Sequence, residues 1–147
     1  WFEPGKFLVS EAGTLLTRVT LLKQTTATVF AGVDSGLNHL VRPMMYGAYH
    51  HIENMSAPNA TPRIYTVVGN ICETDTFGWD RKIAEIKEGH LLGIRNAGAY
   101  GHSMASNYNS RMRPPEILVA EGRAQLIRRR ETLEDLLATQ VPAGEGE

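Results

Sequence analysis

The adjacent pair Cys72 and Glu73 is the first place where residue types suggest chemistry. The pair follows the β-branched stretch Ile64–Val68 and Gly69, so we expect it in a loop directly after a strand. A neighbouring carboxylate disfavours the thiolate. The pair therefore suits a proton donor better than a nucleophile, and the alternative is a buried cysteine that only packs.

Two adjacent histidines, His50 and His51, precede Glu53 and raise the question of a metal site. Side chains of adjacent residues point apart on both a helix and a strand, so the two imidazoles would not bind one ion. The chain also has no Cys/His spacing of the kind that zinc sites use. We therefore expect no metal ligands.

Arg42 and Tyr46 are four residues apart and would share one face of a short helix. A guanidinium beside a phenol could hold a carboxylate, and the alternative is a solvated arginine.

The segment Gly98–Gly101 follows a predicted strand, where glycines permit close approach of a ligand and Tyr100 could bind phosphate. A long polar connection follows up to residue 113, and such connections in compact domains are often functional.

Short strands with irregular connections must position these side chains. The leucines at positions 8, 15 and 16 lie at helical spacing with Ala12 and Val19, which predicts a helix after Gly5. Thr132 with Asp135 predicts the cap of a closing helix. Composition predicts a mainly β fold, a barrel or sandwich, with strands at Thr17–Lys23, Thr25–Val33, Ile64–Val68, His90–Asn96, Glu116–Ala120 and Gln125–Arg128. The last two strands flank Glu121 and Gly122 and are expected to form a hairpin.

Length and composition narrow the function. The 147 residues, 42% hydrophobic and 21% charged, suit one globular domain. A net charge of −1 gives no support for nucleic-acid binding, and no apolar run approaches the roughly 18 residues of a membrane span. One cysteine excludes an internal disulfide and favours a reducing compartment, the cytoplasm. The opening Trp1–Gly5, without an initiator Met, suggests a fragment of a longer protein.

A set of short motifs runs in order along nearly the whole chain: Glu3–Lys6, Val33–Asn38, Val41–Pro43 with Tyr46, Val68–Glu73, Asn96–Gly101, Ser103–Arg111, Arg113–Pro114 and Arg128–Thr132. This ordered set resembles the C-terminal part of the diaminopimelate decarboxylase family, which uses pyridoxal phosphate. The resemblance implies that residues 1–17 are the last strand and helix of a (β/α)8 barrel. Residues 18–141 would then form a Greek-key β-domain and residues 142–147 a flexible tail.

The resemblance also implies roles for individual residues. Cys72 would be the proton donor, in a loop that reaches the partner subunit's site of a homodimer. Glu3, Gly5 and Tyr100 would lie in the cofactor region. Lys6 stands where the family usually has arginine, which keeps the charge and loses the bidentate fork. The residues implied to bind the substrate are Lys6, Arg42, Tyr46, Glu73 and Tyr100.

The implied activity is decarboxylation of meso-diaminopimelate to L-lysine in lysine biosynthesis. The family's cofactor-binding lysine belongs to the barrel, and Lys6, Lys23, Lys82 and Lys87 lie in other contexts. We therefore expect the chain alone to be inactive. Two alternatives remain: a related decarboxylase acting on arginine, ornithine or carboxynorspermidine, and a non-catalytic binding module.

Overall fold

The computed structural model describes residues 1–144 and divides the chain into two compact units. The first unit runs from Trp1 to Ala105, and the second begins at Ser106. Within the described residues, no helix has the length and apolar character needed to cross a membrane. Of the tail predicted for residues 142–147, positions 145–147 lie outside the described residues.

The first unit is a six-stranded sheet in the order β3-β6-β1-β2-β4-β5. Neighbouring strands are antiparallel except β2 and β4, which pair in parallel. The strands are β1 Leu15–Gln24, β2 Val29–Val33, β3 Ile52–Asn54, β4 Pro62–Val68, β5 Thr76–Ala84 and β6 Leu91–Ile94.

The two outer strands of this sheet, β3 and β5, contact each other. The Asn54 side chain on β3 donates a hydrogen bond of 2.8 Å to the carbonyl of Glu85, just beyond β5. The sheet is thus a nearly closed barrel, which confirms the predicted mainly β class. Its interior is formed by Val19, Ala31, Val33, Leu40, Ile52, Tyr65, Val67, Phe77, Ile83, Ile86, Leu92 and Ile94.

The N-terminal helix is shorter than the sequence predicts. Helix α1 covers only Gly5–Val9, and a 3-10 turn follows at Ser10–Ala12. Beyond Gly13 the chain pairs with β6 as strand β1, so the helical spacing of Leu15, Leu16 and Val19 was misleading. Tertiary pairing overrides local periodicity here, since Thr17 and Val19 face the barrel interior with the period of a strand.

Two of the strands, β3 and β5, were not predicted from the sequence. Strand β3 lies in a polar, Pro- and Asn-rich segment that predicted only a loop. Strand β5 contains Gly78 and a run of charged residues, which conceal its alternation. A Cβ added to Gly78 would lie 2.4 Å from Nε of Arg81, so a larger residue there would displace the Arg81 side chain.

The second unit is a hairpin followed by a short helix. Strands β7 Glu116–Ala120 and β8 Arg123–Arg128 are antiparallel, as predicted. Glu121 and Gly122 between them both have positive φ, 50° and 71°, as a tight hairpin turn requires. Helix α3, Leu133–Leu137, begins with the predicted cap.

Candidate functional site

Helix α2, Arg42–Tyr46, places two candidate residues side by side. The helix has proline in its first turn and ends at Gly47, whose φ of 61° is left-handed. The guanidinium carbon of Arg42 lies 5.3 Å from the ring centroid of Tyr46. The same guanidinium lies 5.5 Å from the ring centroid of Tyr100, so Arg42 is in cation–π contact with two aromatic rings.

Tyr100 reaches this position from the turn after β6. Its φ of 64° is left-handed, which is costly for a residue with a side chain. The turn is fixed to the N-terminal segment by hydrogen bonds, one from Ser10 Oγ to the carbonyl of Asn96 (3.2 Å). A second runs from the Gly98 amide to the Ser10 carbonyl (3.0 Å).

The Tyr100 hydroxyl lies directly against the backbone of Gly5. A Cβ added to Gly5 would come within 2.7 Å of that oxygen. Beside this contact is an open cleft of about 670 Å³. The cleft is lined by Glu3, Pro4, Gly5, Lys6, Phe7, Ser10, Glu11, Asn96 and Tyr100.

His50 lies behind this site and is buried, whereas His51 is exposed. Burial lowers the pKa of His50, a hydrogen bond to the Arg95 carbonyl opposes this, and the charges of Arg42, Lys6 and Arg81 lower it further. The carbonyl can only accept, so Nδ1 at 2.8 Å carries the proton and the neutral ring is held in one tautomer.

The three cations around His50 come from different elements: α1, α2 and β5. Within residues 1–144, none of Lys6, Arg42 and Arg81 forms an ion pair. The Arg81 guanidinium instead stacks on the exposed ring of Tyr49, 4.0 Å from its centroid. Cations that are not held in ion pairs are suited to binding an anion.

Cys72 and Glu73 lie on the loop between β4 and β5, and both are exposed. The alternative of a buried cysteine that only packs is therefore wrong. The carboxylate of Asp75, at the end of the same loop, is buried and accepts hydrogen bonds from the amides of Ile71 (2.9 Å) and Leu37 (2.8 Å). Sequence analysis missed Asp75, although an aspartate that binds backbone amides is typical of tight loops.

The structure brings most, though not all, of the predicted site residues together. Glu3, Gly5, Lys6 and Tyr100 line the cleft, and Arg42 with Tyr46 joins them through the Tyr100 ring. Cys72 and Glu73 belong to a separate loop at the β4–β5 connection. His50 and Arg81 were not predicted as site residues, and only their charge and burial in the fold identify them. The described residues contain no group of three or more potential metal ligands.

The chain is similar in sequence to curated proteins that are named diaminopimelate decarboxylase. A diaminopimelate decarboxylase from Methanothermobacter thermautotrophicus is 52% identical over 144 residues, covering 96% of this chain and 33% of that protein. One from Neisseria meningitidis is 53% identical over 140 residues, covering 95% of this chain and 34% of that protein. The chain thus spans about a third of the length of these curated relatives.

Solved structures agree with the sequence matches. The crystal structure of diaminopimelate decarboxylase from M. jannaschii in complex with L-lysine superposes with a TM-score of 0.88 and 42% identity, covering 93% of this chain and 32% of that one. The family model of the pyridoxal-dependent decarboxylase C-terminal sheet domain matches residues 6–98. The chain therefore belongs to the pyridoxal-dependent decarboxylase family, whose C-terminal sheet domain it contains.

Proposed function

We propose that this chain is the C-terminal part of a decarboxylase that converts meso-diaminopimelate to L-lysine and CO2. The observation that carries the proposal is Arg42, a guanidinium without an ion-pair partner in the described residues, held between the rings of Tyr46 and Tyr100 beside the cleft. Such a group is suited to a substrate carboxylate. Relatives more than 50% identical that bear this enzyme's name support the choice of substrate.

The substrate has two similar ends, and the enzyme must distinguish them. Arg42, Tyr46 and Lys6 would hold the carboxylate of the end that does not react. Glu73 would pair with the ammonium group of that same end. Once the bound substrate covers it, such a carboxylate clamp would discriminate against substrates that lack the group, because its polar atoms would then be left unpaired. Arginine and ornithine lack this second amino-acid end, which makes them poorer candidates.

Pyridoxal phosphate is the cofactor that the family uses, and part of this chain fits it. Gly5 has no side chain, which leaves space for the Tyr100 hydroxyl against its backbone. A hydroxyl beside the uncovered backbone of a glycine is suited to binding phosphate. Glu3, Gly5 and Tyr100 would therefore lie on one side of the cofactor. When bound, it supplies an electron sink for loss of CO2.

The remaining chemistry on this chain is proton delivery. After CO2 leaves, the α-carbon needs a proton, and the Sγ–H of Cys72 would supply it. The exposed position of Cys72 supports the proposal that its thiol acts in the site of another subunit. We propose that this loop completes the site of a second subunit in a homodimer.

The proposed domain boundaries follow from the same assignment. Residues 1–17 would close a cofactor-binding barrel and residues 18–141 would form the β-domain, except that Leu15–Thr17 already pair with β6 and so belong to the β-domain. Helix α1 supports this assignment, since none of its residues is buried and Phe7 and Leu8 are exposed. An apolar helix surface of this kind is expected to pack against another part of a longer protein.

The test is a product assay. We expect the full-length protein that contains this chain, purified with pyridoxal phosphate, to release CO2 and L-lysine from meso-diaminopimelate. Preferred turnover of ornithine or arginine would favour the related decarboxylases instead, and no turnover of any of them would favour the binding module. We expect the 147-residue chain alone to be inactive. Turnover by this chain with added cofactor would contradict that expectation.

A further inference from the structure

One buried side chain, that of Asp75, holds the loop that carries Cys72 and Glu73. Asp75 is only 5% exposed. Its Oδ2 accepts from the Ile71 amide within the loop, and its Oδ1 accepts from the Leu37 amide outside it. Its carbonyl accepts from the Gly69 amide at 2.7 Å, which closes the base of the loop.

Two glycines make room for this carboxylate. A Cβ added to Gly69 would lie 2.1 Å from Oδ2 of Asp75, and one added to Gly36 would lie 2.8 Å from the same atom. Both distances are too short for any side chain to coexist with the carboxylate in this position. The backbone on both sides of Asp75 is therefore shaped around its side chain.

The anchor spans two segments of the chain. Besides the Leu37 contact, the Asn70 amide donates to the Ser35 carbonyl at 3.0 Å, so the loop is attached to residues 35–37 at two points. The tip, residues 72–74, is exposed, whereas Ile71 and Asp75 on either side of it are buried. Hydrogen bonds from backbone amides to a buried carboxylate are strong and directional, which suits the positioning of an exposed tip.

We propose that Asp75 is a positioning residue that fixes Cys72 and Glu73 for proton delivery and substrate recognition. This inference rests on the proposed function, because only there do the two side chains act on a substrate. Asp75 itself would not touch the substrate. It acts by reducing the number of conformations in which the Cys72 thiol misses the reacting carbon.

Asp75→Asn tests the anchor, with Asp80→Asn as the matched control. Asparagine keeps the size and replaces one acceptor oxygen by a donor, so one of the two amides loses its partner. Asp80 is exposed, and its φ of 47° is a conformation that asparagine tolerates. In the full-length protein we expect hydrogen exchange of residues 69–75 to accelerate at least tenfold in Asp75→Asn and to stay unchanged in Asp80→Asn. Unchanged exchange in Asp75→Asn would overturn the proposal.

A double-mutant cycle with Cys72→Ala tests the link to chemistry. If Asp75 acts through Cys72, Asp75→Asn lowers kcat at least tenfold in the wild-type background and less than twofold in the Cys72→Ala background. Equal factors in both backgrounds would reduce Asp75 to a general structural role and overturn the proposal.

The two measurements separate this inference from the proposed function. A wild-type protein that does not decarboxylate meso-diaminopimelate refutes the proposed function, while the exchange measurement still decides whether Asp75 holds the loop. If Asp75→Asn fails to fold, Gly36→Ala displaces the same carboxylate and is expected to give the same accelerated exchange. Wild-type exchange in a folded Gly36→Ala protein would overturn the anchor.

Discussion

The guanidinium of Arg42 lies 5.5 Å from the ring centroid of Tyr100, and the hydroxyl of that ring lies against Gly5. Three segments that are far apart in the chain thus meet at one phenol. The proposed substrate-binding cation, Arg42, and the proposed cofactor region both contact this ring. A change at any of the three positions is therefore expected to affect the other two.

Arg42→Ala is expected to weaken binding of the substrate's distal carboxylate. A hydrogen bond to a charged group contributes about 1.5–3 kcal/mol, which corresponds to roughly a 10- to 150-fold rise in KM with kcat largely retained. Steady-state kinetics of the full-length protein with meso-diaminopimelate measure this effect. Arg63→Ala is the control, because Arg63 forms only an exposed pair with Glu85 and should leave KM unchanged. An unchanged KM in Arg42→Ala would contradict the assigned role.

Lys6→Arg is expected to lower KM for the same substrate by several-fold. Lysine provides the charge, whereas arginine adds two parallel N–H donors that match a carboxylate. The exposed Lys23 on β1 offers a matched control, and Lys23→Arg should have no kinetic effect. A higher KM in Lys6→Arg would mean that the cleft is shaped for lysine, against the family resemblance.

Gly13→Ala is expected to destabilise the first unit. An added Cβ would lie 2.4 Å from the backbone of Gly98, and the Gly13 φ of −114° is itself compatible with alanine. The cost is therefore steric, about 1–3 kcal/mol as for other overpacked positions. Chemical denaturation measures it. Gly89→Ala distinguishes a steric clash from backbone strain. Gly89 has open space around it, so only its left-handed φ of 84° opposes a side chain. A stability equal to wild type in Gly13→Ala would show that the two segments separate easily.

The first unit is expected to lose stability as the pH falls below about 6.5, the ordinary pKa of histidine. Burial of His50 lowers its pKa in the folded state, with further lowering from Arg42, Lys6 and Arg81. The unfolded chain therefore binds the proton more tightly, and the free energy of unfolding decreases with acidification. His50→Asn, which can still donate to the Arg95 carbonyl, should remove this dependence. His51→Asn, at an exposed position, should retain it, and equal pH profiles for both variants would contradict the assignment.

The second unit is expected to loosen at lower pH. Hydrogen bonds from Arg113 above all, and from Asn107, lower the pKa of Glu131 to about 2, from 4.5. The depressed pKa stabilises the fold above pH 4.5, and this contribution is lost as the pH falls from 4.5 towards 2. Protection factors from hydrogen exchange of residues 107–131 at several pH values measure the loss, because they correct each rate for the pH dependence of intrinsic exchange. Glu131→Gln should be loosened already at neutral pH and show little further change, whereas Glu116→Gln should behave as wild type. A flat profile for the wild type would refute this coupling.

The sequence predicted the β class and the hairpin of the second unit because those segments carry local signals. β-branched residues mark β2 and β4, and Thr132 with Asp135 marks the start of α3. Strand β5 was missed because its pairing with β4 is decided by tertiary contacts that no local pattern shows. The N-terminal helix was predicted too long for the same reason, since pairing with β6 determines the structure from Leu15 onwards.

The site residues were found through motifs, yet their arrangement was not. Helical spacing alone placed Arg42 beside Tyr46, but nothing local indicates that Tyr100 packs on the same guanidinium. His50 was considered only as a metal ligand, whereas its burial and its bond to Arg95 are properties of the folded chain. Asp75 shows the same limit, because the amide of Leu37 reaches it from a distant segment.

The parallel pairing of β2 with β4 has a consequence for the order of folding. The pairs β1–β2 and β4–β5 are antiparallel neighbours in sequence and can form from local contacts. Joining them requires Phe30 to meet Thr66 across a connection that contains α2 and β3. Closing such a long loop is slow, because the chain loses conformational entropy before the contacts between the two strands form. Both hairpins are therefore expected to form before the parallel ladder between β2 and β4.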